Sequence, residues 1–91
     1  MSHISISRKH DKTMKQAHAA VNKVAKAITR KFSVDHQWQG DVLNFSRSGV
    51  DGHIELTKGM VKVNVKLGFL LMMLRAPIES EIERVLDEEF A

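Results

Sequence analysis

The chain has 91 residues and no cysteine, with 14 Lys or Arg against 11 Asp or Glu for a formal net charge of +3. A chain of this length supplies one modest core, so a single α+β domain over residues 1–91 is expected, with no disulfide framework and no thiolate chemistry. The longest apolar run, Phe69 to Leu74, is far short of the ~20 residues that cross a bilayer, and Met1-Ser2-His3-Ile4-Ser5-Ile6 has no basic stretch leading into an apolar run; no transmembrane segment and no signal peptide are expected, and the protein reads as soluble and cytoplasmic.

Residues 3 to 8 alternate, with Ile4 and Ile6 on one face and Ser5 and Ser7 on the other, which predicts a short strand at a sheet edge. Thr13-Met14-Lys15-Gln16 fits a capping box, in which the threonine hydroxyl and the glutamine side chain close the first turn of a helix. The period then becomes helical: Met14, Ala17, Val21, Val24, Ile28 and Phe32 recur at spacings of three and four, and Ala20, Ala25 and Ala27 widen the stripe with small side chains.

A second strand is expected over 33 to 39, with Val34, His36 and Trp38 on one face. Gly40-Asp41, Ser48-Gly49 and Lys58-Gly59 are turn signals. Between them lie a strand over 42 to 47 with Leu43, Phe45 and Arg47 on one face, and a strand carrying Ile54 and Leu56 inward. A very regular strand follows, with Val61, Val63, Val65 and Leu67 inward. Gly49 or Gly52 is expected to take a backbone conformation closed to other residues or to permit close approach. After Gly68 a short helical turn over 69 to 75 is expected to break at Pro77, the only proline, which opens a last helix with the stripe Ile78, Ile82, Val85, Leu86 and Phe90. The order β-α-β-β-β-β-α predicts a five-stranded antiparallel sheet, in the order 2-3-4-5-1, with two helices packed on its one apolar face.

Charge is uneven. Residues 8 to 31 carry eight Lys or Arg against Asp11, and residues 79 to 89 carry six acids against Arg84. Two solvated helices of opposite sign lying side by side explain this more simply than an anion-binding face. RNA binding on the polar sheet face, with Lys62, Lys66, His53 and Gln37, is disfavoured because no outward aromatic is available for base stacking; Lys15, Lys23, Lys26, Arg30 and Lys31 of the helix could touch phosphates, but nothing there would read sequence.

The run Trp38-x-Gly40-Asp41-x-Leu43-x-Phe45-x-Arg47-Ser48-Gly49-Val50-x-Gly52-x-Ile54 resembles the polyhydroxyalkanoic acid system (granule-region) family of small bacterial proteins. Leu67-Gly68-Phe69-Leu70-Leu71, Ile78-Glu79-x-x-Ile82 and Leu86-Asp87-Glu88 extend the resemblance over nearly the whole chain. It implies a link to polyester storage granules and brings no catalytic residues with it.

Five scattered histidines without a close pair predict no metal site, no nucleophile–base pair stands out, and no cofactor is expected. The protein therefore reads as a non-enzymatic one that meets the granule or its coat proteins by surface contact, as a homodimer. Six consecutive apolar residues cannot all face one side, so Phe69, Leu70, Met72, Met73 and Leu74 are candidates for exposure and contact. Arg47, on an apolar face, needs a partner, for which Glu79, Glu83 or Asp87 are candidates. The alternative is a small-ligand module holding an acyl chain or hydroxyacid between sheet and helices, with Trp38, Phe45 and His36 lining the pocket and Arg47 on the carboxylate.

Overall fold

A computed structural model describes residues 2–90. It contains β1 Ser2–Lys9, α1 Met14–Phe32, β2 Asp35–Gln39, β3 Val42–Arg47, β4 Val50–Thr57, β5 Met60–Leu67, a 3₁₀ helix Phe69–Leu74 and α2 Arg75–Glu89. The strands form one antiparallel sheet in the order β1-β5-β4-β3-β2, the expected arrangement read from the opposite edge.

The two-residue period decides which side is buried. Ile4 and Ile6 stand opposite Val65 and Val63, which stand in turn opposite Gly52 and Ile54. All of these are buried, together with Leu43, Phe45, Val50, Leu56, Val61 and Leu67. The other face, with Ser5, Ser7, Asp51, His53, Lys62 and Lys66, is exposed.

Both helices lie on the apolar face. α1 begins at the expected capping box: Gln16 N–H donates to Thr13 Oγ1 at 3.2 Å and Thr13 N–H donates to Gln16 Oε1 at 3.1 Å. It ends at Ser33 in the left-handed conformation, φ 56°. Its alanines do what small residues allow: Ala17, Ala20 and Ala25 are buried among Val21, Val24 and Ile28. α2 buries Ile78, Ile82, Val85 and Leu86. The 3₁₀ helix runs into α2 at Arg75, so the change of helix type falls two residues before Pro77 rather than at it.

Gly49 and Gly52 show two different needs for glycine. Gly49 has φ +85° at the β3–β4 turn. Gly52 points into the core, in register with Phe45 and Val65; a Cβ there would lie 3.0 Å from Asn64 O and from Val65 Cγ2.

The opposite charges of the helices meet. Lys31 Nζ lies 3.1 Å from Glu81 Oε1 and Lys23 Nζ 3.2 Å from Glu89 Oε1, while Arg8 on β1 holds Asp87 at 2.6 Å. Exposed pairs of this kind contribute about 0–1 kcal/mol each. Glu81 is a different case, since it is buried against the stripe of α2 and also takes Arg84 Nη2 at 2.7 Å. The hydrogen-bonded Arg84 guanidinium, helped by Lys31, outweighs burial and holds the Glu81 carboxyl down at about 2.

Two predictions follow from these contacts. Gly52→Ala should destabilise by about 1–3 kcal/mol, since backbone and Val65 occupy the space a methyl needs. Gly40→Ala, at φ +60° with nothing within 4 Å, should cost only the backbone term of about 1–2 kcal/mol; the steric cost at Gly52 is read in urea unfolding from Gly52→Val, which should destabilise more than Gly52→Ala. The second concerns acid. A carboxyl near 2 when folded and near 4.5 when unfolded contributes stability that is complete above about pH 4.5 and lost as pH falls towards 2. Glu81→Gln should therefore flatten the loss of unfolding midpoint across that window, read by thermal unfolding at successive pH values.

Candidate functional site

Leu67 is the last residue of β5, and the chain must leave the sheet end to reach the start of α2. It does so in six residues of 3₁₀ helix, whose three residues per turn sort the apolar run into three rows. Leu71 and Leu74 form one row, packed against the core. Phe69 and Met72 form a flank, 78% and 42% exposed. Leu70 and Met73 form the outermost row, 87% and 91% exposed. The expected exposure is present in Phe69, Leu70, Met72 and Met73; Leu74 instead belongs to the anchoring row.

The base of this ridge is tightly seated. Gly68 N–H donates to Gly49 O at 2.8 Å, and Leu71 N–H to Gly68 O at 3.0 Å. Leu71 lies so close to Gly49 that a Cβ there would fall 2.8 Å from its Cδ1. The left-handed turn and the ridge therefore depend on each other.

Arg47 sits at the same end. It closes β3 on the inner face, as its alternation requires, but at the last residue of the strand, where the side chain is exposed. Its Nη1 donates to the carbonyl oxygen of Phe32, in the last turn of α1, at 2.6 Å. The expected carboxylate partner is corrected accordingly: Asp87 is held by Arg8, Glu79 lies 4.0 Å from Arg75, and Glu83 forms no ion pair with Arg47. A cation at a helix C-terminus is favourable in its own right, because the last carbonyls carry partial negative charge. An open groove of about 380 Å³ runs beside it, lined by Arg47, Ser48, Gly49, Gly68, Phe69, Leu70 and Leu71, and a neighbouring one of about 340 Å³ adds Val50, Asp51, Lys66 and Leu67.

Trp38 is not part of this group. It stands opposite Leu43 on the edge strand β2, towards the other end of the sheet. Its indole N–H donates to Asn22 Oδ1 at 2.7 Å and its ring stacks on His18 at 4.2 Å, while His18 Nε2 lies 2.8 Å from Asp41 Oδ1. His36 is also at the edge, within 2.9 Å of Thr29 Oγ1. Trp38 and His36 thus pin α1 to the β2 side of the sheet and line no interior pocket. The space between sheet and helices, beside Phe45, Ile78 and Ile82, amounts to about 10 Å³, room for a water at most. An acyl chain or hydroxyacid has no place between the layers; the core residues fill it.

Sequence reasoning did not single out Glu81 or the three-row logic of the ridge. Both carried a signal. Glu81 falls three residues after Ile78 and four before Val85, on the buried stripe, with Arg84 one turn on. Leu71 and Leu74 are three apart, which is the 3₁₀ repeat.

The rows predict different costs. Leu71→Ala should destabilise by about 1–2 kcal/mol through lost partial burial, whereas Leu70→Ala and Met73→Ala should stay within about 0.5 kcal/mol of the parent, all read by urea unfolding.

Among known proteins, no curated sequence and no solved structure matches the chain. A family model described as putative polyhydroxyalkanoic acid system protein matches residues 4–90. The match runs from within β1 to the residue after α2 and takes in both Arg47 and the apolar ridge. The chain belongs to the polyhydroxyalkanoic acid system family.

Proposed function

We propose that this is a non-catalytic cytoplasmic protein that docks on polyhydroxyalkanoate storage granules through the Leu70–Met73 ridge. The setting comes from the family. The mode of action comes from one observation: two large apolar side chains, 87% and 91% exposed, stand side by side on a firmly seated turn. A turn that only joined β5 to α2 would be expected to carry polar residues there. Phe69 and Met72 widen the patch, and methionines adapt to an irregular apolar surface. The occupant is the granule surface or a coat protein on it. Away from the granule the same ridge would pair with that of a second copy, which gives a homodimer in free solution.

Partitioning of purified protein onto isolated granules tests the reading, with a Leu70→Glu, Met73→Glu variant alongside. The parent is expected to sediment with granules and the variant to remain in solution with an unchanged unfolding midpoint. A parent that stays in solution would overturn granule contact. Sedimentation velocity without granules should give a dimer for the parent and a monomer for the variant.

A further inference from the structure

The apolar ridge does not stand alone. Three cations lie at the same end of the sheet. Arg47 lines the groove beside Phe69 and Leu70. Lys66 lines the adjoining groove with Gly68. Arg75 directly follows Leu74, and its Nε donates to the backbone oxygen of His3, the register partner of Lys66, at 3.2 Å. Among the described residues Arg47 has no carboxylate within 4 Å; its recorded partner is a backbone carbonyl. Lys66 faces Asp51 across the sheet without closing to an ion pair, and Arg75 reaches Glu79 only at 4.0 Å, one turn further along α2. The cations are thus weakly compensated, in contrast to Lys31, Arg84 and Arg8, whose carboxylates lie within 2.6–3.1 Å.

We propose that the ridge is an interfacial anchor for a layer of anionic amphiphiles: Leu70 and Met73 enter the apolar region while Arg47, Lys66 and Arg75 lie at the level of the negative headgroups. This rests on the granule-contact reading for the choice of face and adds the chemistry of what is met there. Apolar side chains flanked by cations suit a boundary that is oily below and negatively charged above. A bare polyester surface offers the cations neutral ester oxygens but no layer of negative charge. A two-fold pair of copies brings like charges together around the ridge, so the pairing of free solution should give way to the anionic layer where one is present.

Flotation with phosphatidylcholine vesicles, with and without an equimolar share of phosphatidylglycerol, tests the inference, alongside lipid-free polyester particles. Binding is expected to the mixed vesicles, to weaken with added salt, and to be lost in Leu70→Glu, Met73→Glu. Lys66→Gln and Arg75→Gln should each weaken it by about five-fold; Lys66, whose side chain makes no hydrogen bond among the described residues, keeps the test independent of folding. Equal binding to both vesicle types, or binding to polyester particles alone, would overturn the anionic layer and leave granule contact standing. Binding to neither vesicles nor particles would remove both, with a dimer in that solution assigning the ridge to a second copy.

Discussion

Everything in this structure depends on covering one face of one sheet. A chain of 91 residues has a single apolar surface to hide, and the inner face formed by Ile4, Ile6, Leu43, Phe45, Ile54, Leu56, Val61, Val63, Val65 and Leu67 supplies it. Two helices are needed to cover five strands. Placing them side by side forces their outer flanks together, and opposite charges make that neighbourhood favourable: Lys23 and Lys31 meet Glu89 and Glu81 there. The side-by-side arrangement that the charge pattern suggests is thus present, with Lys23 and Lys31 as the part of the basic flank that meets α2.

The same constraint creates the ridge. β5 lies inside the sheet, next to the edge strand β1, and α2 must fold back over the inner face. The connection crosses the sheet end in the six residues of the 3₁₀ helix. Only the Leu71 and Leu74 row can face the core, so four of six side chains are left to solvent whatever their chemistry. Folding explains the leucines at 71 and 74. It gives no reason for Leu70 and Met73, and that surplus is where the function is to be sought.

Periodicity reveals which face a residue occupies, but not how far under cover it lies. That difference accounts for what was and was not legible in the sequence. The alternation through Leu43, Phe45 and Arg47 puts all three on the inner face, correctly. Leu43 and Phe45 lie beneath the helices, while Arg47 lies at the strand end, beyond them, within reach of the Phe32 carbonyl. Trp38 and His36 likewise share the inner face but belong to the edge strand, where the rim of α1 meets them with Asn22, His18 and Thr29. The alternative of a pocket beneath the aromatics rests on face alone. Gly52 shows the other limit: its need for space comes from Asn64 and Val65 on the neighbouring strand, which turn chemistry alone does not reveal.

A surplus apolar row is useful only if it is held ready. A 3₁₀ helix is a weak element by itself, and a loose loop would lose much of its binding energy to ordering on contact. Here the ordering is done by the fold: Gly68 is tied to Gly49, Leu71 is wedged against the β3–β4 turn, and Leu74 leads directly into α2. Sinking two such side chains into an apolar layer is worth about 1.5–3 kcal/mol each. That sum, about 3–6 kcal/mol, is of the order that gives only marginal, reversible attachment, as a single acyl chain does. Three cations at about 1 kcal/mol each would carry it into stable attachment. If the ridge meets an anionic layer as proposed, the two contributions add, and the position of Arg47, Lys66 and Arg75 at this end of the sheet would matter more than the overall charge of +3. The basic residues of α1 that are paired with α2 cannot supply that second contribution, since their charge is already neutralised where they stand.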